Sequence, residues 1–315
     1  MSTLKKRSMG GSETLFIYEH GVCMERLPDS IAVEGMAMFK GMMEFGKYFD
    51  LISFVRDEFS GIFPFRNSGF DECLEKADKA IITAPENDMT LFDLTRKIEK
   101  RGVENLGSSS RAIEMTSDKW RLYRKLRNKV NMPETSTTEL DGKYVVKPRI
   151  SCGGEGISVG GEVKEGYIAQ EYIDGKNLSV SLFAGADIHV LSVNRQILDN
   201  FEYRGAVVPE KAEKETIDEA INAVSAIKGL SGYVGVDMIE ADVPYVIEIN
   251  ARLTTPFIAF GFVYGLSYAD MYSQISSGKE LKVSQKRRVM LLKSSGEGYV
   301  SYRGHSIVLK TIGDI

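Results

Sequence analysis

The stretch 232–252, GYVGVDMIEADVPYVIEINAR, constrains this chain more than any other. Asp242, Val243 and Pro244 form a turn between two runs rich in β-branched residues, so 233–240 and 245–252 read as the arms of a β-hairpin. Side chains alternate between the two faces of a strand, which puts Glu248, Asn250 and Arg252 on one face of the second arm. Asp237 sits in the first arm among Val234, Val236, Met238 and Ile239. A plain surface hairpin with one charged face accounts for Glu248 and Arg252. It leaves Asp237 unexplained, because a carboxylate inside an apolar strand needs a partner. It also gives no reason for Asn250, a residue type depleted in strands. Two carboxylates and an amide oxygen converging across a hairpin make a hard-oxygen site of the kind Mg²⁺ takes, especially where phosphate oxygens fill the remaining positions.

The totals narrow what surrounds the hairpin. A chain of 315 residues has room for two domains or for one large α/β domain with subdomains. A net charge of −4 argues against nucleic acid or an anionic membrane surface as partner. No apolar run approaches the roughly 18 residues of a membrane span. Cys23, Cys73 and Cys152 are scattered with no C-x-x-C, which excludes a zinc knuckle and a redox pair. His20, His189 and His305 are too dispersed for an all-histidine metal site. The basic start, MSTLKKRSMGGSE, has no apolar run behind it long enough for a secretory signal, so 1–13 reads as a flexible leader of a cytoplasmic enzyme.

The remaining pattern is α/β, of α+β type. Strands at 15–19, 48–55, 79–84 and 105–107 alternate with helices at about 30–46 and 89–101, the second ending at Gly102, and imply a small parallel sheet. No G-x-G-x-x-G follows the first strand, so dinucleotide binding there is unsupported. Asp118 caps a helix beginning at Lys119. Strands follow at 144–147, 166–172, 178–183 and 189–197, then a helix over 213–228, the hairpin, a helix over 268–275, and two or three edge strands within 288–312. Composition shifts near 105 and 185 mark the boundaries.

Lys147 and Pro148 end a strand and lead into SCGGEGISVGG, 151–161, with Ser151, Gly153, Gly154 and Gly156 at its start. Glycines let backbone N–H groups approach a polyphosphate, and a lysine at the strand end supplies a point charge. Taken alone, a hairpin with a flexible tip explains this loop as well. The order of parts is more specific: Asp118-Lys119, Lys147 and the glycine loop, Gln170-Glu171-Tyr172-Ile173-Asp174-Gly175, Asp237, and Glu248-Ile249-Asn250-Ala251-Arg252. This series resembles the ATP-grasp superfamily of carboxylate–amine ligases from about Ser108 to Arg252, and the βα segment before it is similar to the Rossmann-like pre-ATP-grasp domain.

The resemblance implies a pre-ATP-grasp domain over 14–107, a nucleotide-clamping subdomain over 108–185 and a C-terminal subdomain with the metal site over 186–315. It implies ATP as cosubstrate, with Mg²⁺, or Mn²⁺ in its place, on Asp237, Glu248 and Asn250. Lys119 and Lys147 would hold the α- and β-phosphates, the loop from Ser151 through Gly153, Gly154 and Gly156 would close over the triphosphate, and Gln170, Glu171, Tyr172 and Ile173 would meet the adenine edge. Arg252 would face the transferred phosphoryl group, with Arg195 and Arg204 as further candidates. One departure is visible: where many members carry a ribose-binding Glu, this chain has Asn177, whose amide still hydrogen-bonds a hydroxyl. The implied partners are a small carboxylate and an amine, joined through an acyl phosphate, and relatives of this kind are often dimers.

Within the superfamily, PDSIAVEG at 28–35, Ala84-Pro85-Glu86, Ser117-Asp118-Lys119 and EINARLTT at 248–255 resemble the archaeal tyramine–glutamate ligases of methanofuran biosynthesis. Those join the γ-carboxylate of glutamate to the amine of tyramine. The Asp29-Ser30-x-x-x-Glu34 segment then either reaches the site from the first domain or is a helix cap with a first-turn acid favoured by the dipole. A carboxylase-like or kinase-like member and a non-catalytic ATP-binding module stay open, the last disfavoured because binding alone does not require Asp237, Glu248 and Asn250 together.

Overall fold

The computed structural model describes residues 12–66 and 68–313. All of the expected leader except Ser12 and Glu13 lies outside the described residues. Four parallel strands, β1 (Thr14–Glu19), β2 (Asp50–Ile52), β3 (Lys79–Thr83) and β4 (Glu104–Asn105), form the first sheet in the order β2-β1-β3-β4. Leu15, Phe16, Ile17 and Tyr18 of β1 are all fully buried, as expected of a parallel strand covered on both faces. The chain passes from β1 to β2 on one side and to β3 on the other, so β1 and β3 flank the topological switch point. In an open α/β sheet, ligands bind outside the carboxyl ends of such strands. Glu19 ends β1, and Glu86 follows β3 in the loop. The strand expected over 48–55 shortens to β2, and the helix expected to run to residue 46 is α-helical over Asp29–Met42 before tightening into a 3₁₀ turn at Met43–Lys47.

The second sheet is antiparallel, with β5 (Thr135–Ser136), β6 (Tyr144–Pro148), β7 (Ser158–Val159) and β8 (Tyr167–Glu171) in the order β5-β8-β6-β7. The third has eight strands: β9 (Lys176–Ala184), β10 (Ile188–Asp199), β11 (Glu202–Val208), β12 (Gly232–Glu240), β13 (Pro244–Asn250), β14 (Val289–Ser294), β15 (Val300–Tyr302) and β16 (His305–Thr311). Their order is β13-β12-β9-β10-β11-β14-β16-β15. The division expected at 185/186 therefore needs correcting. Residues 185–187 are the tip of a hairpin, and β9 pairs with both β10 and β12. The chain crosses from the second sheet to the third between Glu171 and Lys176. A Cβ on Gly175 at this crossing would lie 2.6 Å from the Glu240 carbonyl oxygen, so only glycine lets the two backbones pass.

Two cores hold these layers. One joins the first sheet to the chain after the hairpin, through Leu253, Phe257, Phe260 and Tyr268 to Leu291. The other packs the helices Lys119–Leu126 and Lys214–Ser225 onto one face of the third sheet, against Leu178, Val180, Leu182, Val234, Val236 and Met238. Among the described residues no helix is long and apolar enough to cross a membrane.

Candidate active site

Strand parity decides what faces the cleft between the second and third sheets. On β9, Leu178, Val180 and Leu182 enter the core, so Asn177, Ser179 and Ser181 lie on the opposite face. Asp237 on β12 stands beside Ser179 in one direction and Glu248 in the other. The Asn250 amide donates to Asp237 Oδ2 at 3.2 Å, and the Gln196 amide donates to Oδ1 at 3.0 Å. Burial, and next the Glu248 carboxylate, push the Asp237 carboxyl up to about 7, against the pull of Ser179, Asn250 and Arg252.

The opposing wall is basic. Asp118 caps the helix Lys119–Leu126, accepting from the Trp120 and Arg121 backbone N–H groups, and so fixes where Lys119 points. Lys119 Nζ reaches the Ser151 carbonyl at 2.9 Å, its hydroxyl at 3.3 Å and Glu248 Oε1 at 3.2 Å. Lys147 Nζ donates to Gln170 Oε1 at 2.7 Å, and the Gln170 amide donates to the Thr135 hydroxyl at 3.0 Å. Burial, with Lys119 as the next cause, lowers the Lys147 ammonium to about 8, while Glu248 and Asp237 oppose the shift. Two lysines from the second sheet and its leading helix thus face two carboxylates of the third.

Arg252 lies past the end of β13 and turns to the first sheet. Its Nε and Nη2 meet Glu86 Oε1 and Oε2 at 2.8 and 2.9 Å, and Nη1 donates to the Leu253 carbonyl at 3.1 Å. Cys152 lies among Arg252, Glu86, Glu248 and Lys119, its thiol pushed up to about 11 mainly by burial. The glycine loop rests on the β10–β11 hairpin: Gly154 has φ +84°, and a Cβ there would sit 2.1 Å from the Phe201 carbonyl oxygen.

Lys119, Lys147, Ser151, Gln170, Asp237, Glu248, Asn250 and Arg252 therefore converge, with Gly153, Gly154 and Gly156 in the loop beside them and Asn177 on the cleft face. Glu171 is exposed and accepts from the Glu134 backbone at 3.2 Å, while the Tyr172 ring lies under Lys143 Nζ, 3.5 Å from its centroid. Ile173 sits in the crossing segment between β8 and β9. Arg195 does not join the cluster. It is one residue from Gln196, so parity turns it to the far face, where it pairs with Glu210 at 3.3 Å. Arg204 stays on the exposed hairpin rim with Asp199 at 3.4 Å and Glu202 at 2.8 Å. Gln196 and Ser179 were absent from the sequence reading, though alternation along their strands carries the signal. The Arg252–Glu86 pair, 166 residues apart, has no local signal.

Among the described residues no three His, Cys, Asp or Glu side chains gather as a protein-only metal cage. Two crowded carboxylates beside an amide fit Mg²⁺ better, since it takes one or two carboxylates and completes its shell with phosphate and water oxygens. Burial is the main cause of the upward shift at Asp237, and the Glu248 carboxylate beside it adds to the shift a repulsion that a cation would relieve.

Comparisons with known proteins agree with this geometry. An ATP-grasp domain model matches residues 116–256, and a pre ATP-grasp domain model matches 65–113. A tyramine–L-glutamate ligase of Methanocaldococcus jannaschii is 41% identical over 215 residues, covering 67% of each chain. Its counterpart in Methanocaldococcus fervens is 40% identical over 213 residues, covering 66% of this chain and 69% of that one. A crystal structure of an ATP-grasp superfamily protein from Archaeoglobus fulgidus superposes with a TM-score of 0.89 at 47% identity, covering 96% of this chain and 100% of that one. An L-amino acid ligase from Bacillus licheniformis, at 19% identity and a TM-score of 0.66, shares the fold over 90% of this chain and 82% of its own. The chain belongs to the ATP-grasp family, among its ATP-dependent carboxylate–amine ligases.

Proposed function

We propose that this ligase joins the γ-carboxylate of glutamate to the amine of tyramine, the reaction for which its Methanocaldococcus relatives are named. The observation that carries the reading is the facing of Lys119 and Lys147 by Asp237, Glu248 and Asn250 across one cleft. In this reading the two lysines hold the α- and β-phosphates of ATP, backbone N–H groups from Ser151 to Gly156 cover the triphosphate, residues 170–173 meet the adenine edge, and Asn177 meets the ribose. Asp237, Glu248 and Asn250 would hold Mg²⁺ or Mn²⁺, which would supply charge neutralisation for the transferred phosphate. Arg252 faces the transferred group, its guanidinium oriented by Glu86. The three sheets correspond to three units whose meeting point is the site.

The chain's residues supply position and charge, so no Ser, Cys or His nucleophile is needed. A substrate carboxylate oxygen bonds to the γ-phosphorus as the bond to ADP breaks. The amine nitrogen then bonds to the acyl carbon as inorganic phosphate leaves, and the amine's surplus protons pass to phosphate and solvent. Closure of the loop at Gly153–Gly156 keeps water from the acyl phosphate. ADP release is measured with Mg-ATP, glutamate and tyramine, together and singly. The expected result is ADP and a new amide only with both substrates. ATP binding with no acid- or amine-dependent turnover across a substrate panel overturns the reading. Glu248→Ala is expected to lower turnover by about 100-fold or more at an unchanged melting temperature.

A further inference from the structure

A second polar cluster, unused by the nucleotide chemistry, adjoins the first. Glu34 lies in the second turn of the helix Asp29–Met42. It accepts a hydrogen bond from the Thr255 hydroxyl and lies 2.5 Å from Lys293 Nζ. Thr255 opens the 3₁₀ turn after the hairpin, and Lys293 is on β14, so three separate elements bring these groups together. The Lys293 ammonium stands 5.6 Å from the centre of the Tyr203 ring. The Tyr203 hydroxyl is buried and has no hydrogen-bond partner, although Thr255 lies beside it. Burial, and then Glu34, Tyr233 and Asp237, raise that hydroxyl well above the usual tyrosine range, so it lies within electrostatic reach of both Glu34 and the Asp237 carboxylate. On the other side, Glu19 at the end of β1 lies within electrostatic reach of both Glu34 and Arg252. The cluster therefore sits at the switch point of the first sheet and borders the phosphoryl-transfer centre.

An ammonium beside a carboxylate, flanked by two hydroxyls, is complementary to a zwitterion. A purely structural ion pair gives no reason for an unpartnered buried hydroxyl, whose desolvation is unfavourable. We propose that Glu34, Thr255, Tyr203 and Lys293 receive the α-ammonium and α-carboxylate of an amino-acid substrate and leave its side-chain carboxylate to meet the Arg252 guanidinium. Glu34 takes the ammonium, Lys293 takes the carboxylate, and the Tyr203 hydroxyl donates to that carboxylate. The proposal rests on the ligase reading and adds a regiochemical reason to it: with both head groups engaged, only the side-chain carboxylate is free to attack the γ-phosphorus.

The test uses three acids: L-glutamate, glutarate, which lacks the ammonium, and 4-aminobutyrate, which lacks the α-carboxylate. Their binding to the ADP-saturated protein is measured by calorimetry, alongside turnover, for the wild type, Glu34→Gln, Lys293→Met and Tyr203→Phe. The wild type is expected to bind glutamate at least about tenfold tighter than either analogue. Glu34→Gln weakens glutamate by about tenfold and leaves glutarate unchanged, and Lys293→Met weakens glutamate and leaves 4-aminobutyrate unchanged. Tyr203→Phe, which removes at most a weak contact with the Thr255 hydroxyl, weakens glutamate at an unchanged melting temperature. The KM for ATP stays constant in all three. Wild-type affinity for glutamate in Glu34→Gln, a loss shared equally by glutamate and glutarate, or no glutamate binding by the wild type overturns the proposal. Glutamate binding without turnover leaves this site standing and overturns the ligase reading. Turnover with unmoved affinities does the reverse.

Discussion

Lys147 shows how one residue's environment sets the conditions for binding. Burial first, and then Lys119 nearby, bring its ammonium to about 8, and its hydrogen bond goes to the neutral Gln170 amide. In the proposed nucleotide site, phosphates beside Lys147 would favour its charged form, so binding in alkaline solution is predicted to take up a proton at this side chain. Lys147 is protonated below pH about 8, where ATP affinity is predicted to be independent of its titration. Above that pH, affinity is predicted to fall by up to about tenfold per unit. Isothermal titration across pH 6–10 measures the slope, and Lys147→Met is expected to bind more weakly at low pH and to lose this slope. Not every residue in the reading has this standing. Arg195 looked equivalent to its neighbours in sequence, but strand parity sends it to Glu210 and gives Gln196 the place beside Asp237.

At the scale of elements, the glycine loop and the β10–β11 hairpin act as a pair. The loop's backbone rests on the Phe201 carbonyl, and Gly154 takes a positive φ where any side chain would collide with it. Gly154→Ala is predicted to lift the loop off the hairpin. The expected loss is about tenfold or more in kcat/KM for ATP, with a change of only about 1 kcal/mol in unfolding free energy, because the strain is local and the loop lies outside both cores. Steady-state kinetics with a denaturant titration separates the two. A similar constraint explains the crossing at Gly175, where Glu240 leaves no room for a Cβ. The run of glycines was legible as a phosphate-type loop, but its seat was not, since Phe201 approaches it only through the third sheet.

Across the whole molecule, one ion pair ties the first sheet to the hairpin. Arg252 and Glu86 are 16% and 6% exposed, and their bidentate contact spans 166 residues. Removing one partner leaves a charge without compensation in a dry interface. Glu86→Leu alone is predicted to destabilise the protein by about 3–5 kcal/mol, and adding Arg252→Met is predicted to restore most of that loss. Turnover is expected to stay lost in the double variant, because the guanidinium is gone. Denaturation midpoints and ADP release, measured on both variants, test this. If the double variant recovered activity, the pair would be structural alone.

The hairpin, its metal-type donor set, the two lysines, the glycine loop and the order of the parts were all legible in the sequence, because strand parity and local turn chemistry act over a few residues. That information identified the family and most of the side chains that converge in the candidate site. It misplaced the division at 185/186, since a composition shift marks a hairpin tip as readily as a boundary. Only the tertiary structure could bring Glu86 to Arg252 and join Glu34 to Thr255 and Lys293. Those relations depend on how three sheets stack around shared cores, and no short-range pattern in the chain encodes contacts between segments 166 residues apart or more.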